Sequence, residues 1–220
     1  MQNVVITGAN RGIGLELTRI YQQQGCRVWA LCRQSSKELD ETGVQVVTGV
    51  ELSDLDALPG MIHPLQGVTI DLLIHNAGIL RNESLNQINV STIEQQFKVN
   101  AVAPLVLTDL LLDNLNSGAK VALVTSRMGS MGDNGSGGRY GYRMSKAALN
   151  AAAVSLAHDL KPRNISVTIL HPGYVQTGMV DFRGEVSAQS SAQRLVQRIE
   201  ALNLDNSGTF WHANGEVLPW

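Results

Sequence analysis

The sequence lacks three things: a basic excess, an apolar run of membrane length, and more than two cysteines. The formal net charge is −2 at pH 7. Nucleic acid and anionic membrane surfaces both select a strongly basic face, so neither is an expected partner. The most apolar stretch, Ala101 to Leu112, is broken by Thr108 and Asp109. It also falls short of the roughly 20 residues that cross a bilayer. Only Gln2 and Asn3 separate Met1 from Val4-Val5-Ile6, which reads as a buried strand rather than a basic leader with a long apolar centre. A cytoplasmic protein is expected. Cys26 and Cys32 fall in one apolar segment. If that segment is a strand, they stand about 20 Å apart, far beyond the ~7 Å between Cα atoms that a disulfide spans. Two free thiols suit a reducing compartment. His63, His75, His158, His171 and His212 are scattered without metal-ligand spacing, so no metal site is expected.

What is present is a core-forming chain of 220 residues, 44% hydrophobic and 16% charged. That length suits one large domain, and no linker divides it. Strands are predicted at Asn3–Thr7, Cys26–Cys32, Val44–Val50, Ile70–His75, Lys120–Ser126, Ile165–His171 and Gly208–His212. Helices are predicted at Gly12–Gln24, Ser91–Asn116 (with Pro104 as a kink), Gly141–Leu160 and Ser187–Leu202. Most strands are continuous apolar runs, the pattern of strands buried on both faces of a parallel sheet. The alternation implies an α/β fold: one doubly wound Rossmann-type domain over 1–220, about seven parallel strands with helices on both faces. The segment from about 177 to 205 is expected to supply a C-terminal loop and helix at the substrate side. Gly129–Gly138 reads as a flexible loop.

The first strand runs into Thr7-Gly8-Ala9-Asn10-Arg11-Gly12-Ile13-Gly14 and then a helix. Glycines permit a sharp turn and close backbone approach. The helix start presents unpaired N–H groups and a positive dipole end, a seat for pyrophosphate. Strand, glycines and helix in this order predict a dinucleotide site. A dinucleotide fold selective for NAD usually ends its second strand with an acid on the ribose 2′-hydroxyl. Here that strand ends at Cys32 and Arg33, and Arg11 lies in the turn. Two guanidinium groups suit a 2′-phosphate, so the expected cofactor is NADP(H).

Tyr142 and Lys146 are four residues apart on a predicted helix, hence on one face. An ammonium near a phenol favours the phenolate and would bring the tyrosine toward the range useful for acid–base chemistry. Tyr140 has Met144, not lysine, four residues on. Ser126, at the end of the preceding strand, is placed to hydrogen-bond a developing oxyanion.

The Gly-x-x-x-Gly-x-Gly spacing, His75-Asn76-Ala77-Gly78, Asn100, Ser126, Tyr142-Arg143-Met144-Ser145-Lys146 and Pro172-Gly173-Tyr174-Val175-Gln176-Thr177 follow one another over almost the whole chain. In that order they resemble the short-chain dehydrogenase/reductase family. The ending Gly208-Thr209-Phe210-Trp211 through Gly215-Glu216-Val217-Leu218-Pro219-Trp220 is similar to its small C-factor and sniffer-like reductases. The resemblance implies hydride transfer between NADP(H) and a small carbonyl or alcohol, with Tyr142 as acid and base, and Ser126, Lys146 and Asn100 completing the catalytic set. It implies that Asn100 holds a water joining Lys146 to solvent and that Thr177 contacts the nicotinamide amide. The cofactor residues it implies are Gly8, Asn10, Arg11, Gly12, Ile13, Gly14, Arg33, Glu51, Leu52, Asn76, Ala77, Gly78, Tyr142, Lys146, Pro172, Gly173, Val175 and Thr177. Glu51 stands where the family usually has aspartate near the adenine, and His75 replaces the family's first asparagine, where packing at the strand end is expected. Arg127 follows Ser126 and could meet a charged substrate or serve equally as a surface charge. The short segment Gly178–Val186 predicts an open site and loose specificity. A stripe of Ala147, Ala148, Ala151 and Ala152 allows close helix approach, as in a homodimer or homotetramer. Alternatives are an NADP(H)-sensing protein with little turnover, a nucleotide-sugar epimerase, and an interaction protein with a dead site.

Overall fold

Alternate residues of each central strand supply opposite faces of the sheet, and both faces are covered. The computed structural model describes all 220 residues. Strand β1 (Asn3–Thr7) leads to helix α1 (Gly12–Gln23), then β2 (Arg27–Leu31), a one-turn helix α2 (Lys37–Asp40) and β3 (Gln45–Val47). A short helix α3 (Leu58–Met61) precedes β4 (Ile70–His75), α4 (Val90–Phe97), α5 (Ala103–Leu110) and β5 (Leu115–Val124). The long helix α6 (Tyr140–Leu160) is followed by β6 (Ser166–His171), the two-residue strands β7 (Val175–Gln176) and β8 (Val186–Ser187), α7 (Ala188–Glu200) and β9 (Phe210–His212). The seven-stranded sheet has the order β3-β2-β1-β4-β5-β6-β9, and all its pairings are parallel. The expected Rossmann-type architecture is the one observed.

Val5, Leu73, Val121 and Leu123 face one side, with Val99, Leu107 and Leu149 of the α4–α5–α6 layer. Val4, Ile6, Leu72 and Ile74 face the other, with Leu17 and Tyr21 of α1 and Leu195 and Ile199 of α7. The two-residue period of a strand produces both sets from one run of sequence. Each fully buried aliphatic side chain contributes about 1.5–3 kcal/mol over exposure. The chain direction of sheet growth reverses between β1 and β4. In open parallel sheets the crevice at the carboxyl ends of such strands is the natural ligand position.

Three predicted elements differ most from expectation. The helix predicted over Ser91–Asn116 is two helices, joined at Lys98–Val102 by a π-helical segment in which the Ala103 N–H reaches back to the Lys98 carbonyl. Pro104 has no N–H to give, so the ladder is already interrupted here and a π-type turn fits the gap. Strand β5 begins at Leu115, not Lys120, and stops at Val124. Its polar first residues pass through a register shift against β4, which hides them from any apolar pattern. Strand β3 is confined to Gln45–Val47. The glycine-rich loop before α6 is anchored by Arg143, whose guanidinium donates to Gly137 O, Gly138 O, Met128 O and Ser136 Oγ. No helix is long and apolar enough to cross a membrane. Cys26 and Cys32 are both free thiols.

Candidate active site

The cleft is built on the ends of β1, β2, β4 and β5. Gly8 leaves β1 with φ 66°, a left-handed conformation that glycine adopts without strain, and a Cβ there would stand 2.9 Å from the Ala77 Cα. A Cβ on Gly14 would overlap the Gly8 carbonyl oxygen and lie 2.5 Å from Asn76 Nδ2. Asn76 ties the turn together, with Nδ2 donating to Thr7 O at 3.1 Å and Gly8 O at 3.2 Å. Thr7 Oγ1 accepts from the backbone N–H groups of Asn76 and Ala77, each at 3.1 Å. Thr7 was not marked by the sequence reading; its only signal is its place as the last residue of β1.

Gly8, Arg11, Gly12, Ile13, Arg33, Glu51, Leu52, Asn76, Ala77, Gly78, Tyr142, Lys146, Pro172 and Thr177 line one continuous cleft. Arg81, Gln95, Val99 and Met179 line it as well and carried no recognisable motif. Asn10, Gly14, Asn100, Ser126, Gly173 and Val175 are not among the residues that line it. Asn10 accepts at its carbonyl from Ser36 Oγ at 2.8 Å, and Val175 is buried in β7, paired with Val186. Arg11 and Arg33 are both exposed and both line the cleft, with Arg11 Nη1 3.9 Å from where a Cβ on Gly178 would stand. Arg33 forms an ion pair with Glu51 at 3.5 Å. Burial tends to raise the Glu51 carboxyl, but hydrogen bonds from the Ser53 hydroxyl and amide, with Arg33, outweigh it and hold it below its ordinary value.

Tyr142 and Lys146 reach the same cleft from α6. Both are buried, 7% and 3% exposed, so their proton affinities follow desolvation first. Burial raises the Tyr142 phenol; a hydrogen bond with Ser126 and the charge of Arg139 act against it without reversing it. Burial lowers Lys146 to about 8. Desolvation therefore keeps the phenol from being brought down as expected, and Lys146 places its Nζ on the Val124 carbonyl at 3.0 Å, 5.9 Å from the Tyr142 ring centre. Ser126 is the N-cap of a short 3₁₀ turn, its Oγ accepting from the Met128 amide at 3.1 Å.

Asn100 is fully buried in the π-helical segment. Its side chain accepts from the Ile79 N–H and donates to the Ile79 carbonyl, both at 2.8 Å, and donates to Ser145 Oγ at 3.0 Å. Those bonds clamp the segment after Gly78 against α6. His75 packs as expected, fully desolvated, with Nε2 2.8 Å from Thr108 Oγ1 and its proton affinity lowered to about 3 by burial. Arg127 is taken up by Asp133 and Glu216.

The first turn of α6 is held by a carboxylate that sequence reasoning missed. Glu83, 3% exposed, accepts from Thr92 Oγ1 at 2.9 Å, from Gln96 Nε2 at 2.7 Å and from the Gly141 N–H at 3.2 Å. Its backbone carbonyl accepts from the Arg139 N–H at 2.8 Å. A Cβ on Gly141 would overlap Gln96 Nε2, so helices α4 and α6 meet there with no room for a side chain.

The family described as short chain dehydrogenase matches residues 2–188. The 1-hydroxy-2-glutathionyl-2-methyl-3-butene dehydrogenase of Rhodococcus sp. strain AD45 is 35% identical, with all of both chains covered. Among solved structures, the carbonyl reductase Sniffer of D. melanogaster superposes with a TM-score of 0.91 at 27% identity, all of both chains covered. The NADPH-bound carbonyl reductase from chicken fatty liver does so at 0.88 and 26%, with 100% of this chain and 99% of that one covered. With the turn, the Tyr142–Lys146 pair and the cleft between them, this chain is an oxidoreductase of the short-chain dehydrogenase/reductase family, in the branch of the small sniffer-like reductases.

Proposed function

We propose that the chain is an NADP(H)-dependent reductase of aldehydes, ketones or quinones, running the matching alcohol oxidation in reverse. One observation carries the reading: a buried phenol and a buried ammonium share a cleft with a glycine turn and two arginines. The turn is of the kind that seats the cofactor, because it closes this tightly only with glycine at both positions: a Cβ on Gly8 meets Ala77, and one on Gly14 meets the Gly8 carbonyl. Gly12, Ile13, Asn76, Ala77 and Gly78 would hold the pyrophosphate and the nicotinamide half, with Asn10, Gly14, Gly173 and Val175 shaping the walls from behind. Leu52 and Glu51 would border the adenine. Arg11 and Arg33 would grip the 2′-phosphate, with Arg33 exchanging part of its contact to Glu51. Pro172 and Thr177 would face the nicotinamide.

NADPH, when bound, supplies the hydride. Tyr142 keeps its proton in the dry cleft and donates it to the substrate oxygen as that oxygen gains charge. Ser126 would orient the same oxygen, and its hydroxyl acts on the Tyr142 phenol in the direction that favours the phenolate. Lys146, largely charged at pH 7 with its proton affinity near 8, stabilises the phenolate left behind and holds the nicotinamide ribose. Asn100 acts by fixing Ile79 and Ser145 beside Lys146. The partly exposed Ala147, Ala148 and Ala152, with exposed Ala151, would form a contact face for a second copy.

The test is loss of NADPH absorbance with a panel of aldehydes, ketones and quinones, beside Tyr142→Phe. Removing the general acid should lower kcat by about 10²–10⁴-fold while NADPH binding persists. NADPH binding with no turnover of any carbonyl by the parent protein would refute the reading.

A further inference from the structure

Two exposed arginines near the catalytic pair form no ion pair: Arg81 lines the cleft, and Arg139 stands three residues before Tyr142. Arg139 immediately precedes α6 and holds a left-handed backbone, φ 49° and ψ 47°. Residues with side chains seldom adopt that conformation, and where they do it often marks a functional position. Its backbone N–H is fixed by the Glu83 carbonyl at 2.8 Å. Its Nη1 rests 3.7 Å from Met128 Sδ, and Met128 is the residue whose amide holds the Ser126 hydroxyl. Its charge is felt at the Tyr142 phenol. Arg81 lines the same cleft as Tyr142, with its backbone N–H held by Gln96 Oε1 at 2.8 Å and Nη1 on the Leu80 carbonyl.

Neither guanidinium has an acidic partner among the ion pairs of the chain. The carboxylates of this region are already committed. Glu83 is buried and saturated by Thr92, Gln96 and Gly141. Asp133 and Glu216 hold Arg127. Both exposed charges are therefore free to meet an anion that enters beside Tyr142.

We propose that Arg139 and Arg81 form an anion-binding rim, and that the preferred substrate is a carbonyl compound that also carries a carboxylate. The inference rests on the reductase reading and names its substrate class. The planar guanidinium fork matches a carboxylate, which lysine would hold only as a point charge. Such a group also orients the substrate, because anchoring one end leaves the carbonyl to meet Ser126 and Tyr142.

The test compares 3- and 4-carboxybenzaldehyde with methyl 4-formylbenzoate, which keeps the ring and aldehyde and loses the charge. NADPH absorbance gives the acid-to-ester ratio of kcat/KM for the parent, Arg139→Gly, Arg139→Lys and Arg81→Gln. Glycine adopts the left-handed backbone without strain, so Arg139→Gly removes the charge without disturbing the start of α6. The parent should favour at least one acid. The ratio should fall roughly tenfold in Arg139→Gly, as one charge-assisted pair is lost. It should fall less in Arg139→Lys, and it should shrink as salt is added. A ratio equal in the parent and Arg139→Gly, or acid and ester falling in step, would overturn the proposal while leaving the reductase reading intact. No turnover of acid or ester alike would defeat the reductase reading and this inference with it.

Discussion

Replacing Glu83 with glutamine changes one oxygen to an NH₂ group, and the surroundings cannot accept it. Oε1 receives Thr92 Oγ1 and Gln96 Nε2; Oε2 receives the Gly141 N–H. In one amide orientation the new NH₂ faces the Gly141 N–H, donor against donor. In the other it faces Gln96 Nε2. Leaving a buried donor unsatisfied costs about 1–3 kcal/mol. Removing a negative charge from a helix N-terminus costs a further ~0.3–2 kcal/mol. The expected loss for Glu83→Gln is about 2–4 kcal/mol. At ~2–4 °C per kcal/mol for a chain of this size, the melting temperature should fall by roughly 5–15 °C. Urea titration followed by far-UV circular dichroism measures the loss as a shift in midpoint at constant slope. Gly141 is the neighbour of Tyr142, so kcat should fall in the same variant at temperatures where it remains folded. A loss below about 0.5 kcal/mol, the range of surface substitutions, would refute the assignment of Glu83 as the cap of this helix.

Gly14→Ala should abolish NADPH binding, because its Cβ overlaps the Gly8 carbonyl and crowds Asn76; titration of cofactor fluorescence checks this. Arg11→Ala combined with Arg33→Ala should shift preference from NADPH toward NADH by roughly 10–100-fold in kcat/KM, as charge-assisted contacts worth about 1.5–3 kcal/mol are lost. His75 is held to about 3 by burial, against ~6.5 in the unfolded chain. Between those values the unfolded chain binds more protons, so the contribution is complete above pH 6.5 and is lost as pH falls toward 3. Replacing it by non-titrating His75→Asn should flatten that part of the stability–pH curve. Lys146 runs the other way on the alkaline side. With its native value near 8 and ~10.4 unfolded, its burial destabilises the chain below pH 8. That penalty is relieved as pH rises to 10.4, and Lys146→Met should remove the rise.

The features legible in the sequence are those set by neighbouring residues. Mainly apolar runs made β1, β2, β4 and β6 recognisable, because burial on both faces leaves few polar positions in a strand. The glycine turn was legible because a left-handed backbone at Gly8 and close approach at Gly14 restrict the residue type directly. Tyr142 and Lys146 were legible because four residues along a helix define one face. The polar start of β5 was hidden, since Asn116, Ser117 and Gly118 enter the strand through a register shift. The π-helical segment at Asn100 was hidden too, because its side-chain bonds to Ile79 and Ser145 lie 21 and 45 residues away in the chain. Tertiary packing alone brought Glu83 to the start of α6, placed the Lys146 ammonium on the Val124 carbonyl, and left Arg81 and Arg139 without ion-pair partners. The common reason is desolvation: whether a charge is buried, paired or free depends on which distant elements close over it, and no local spacing encodes that.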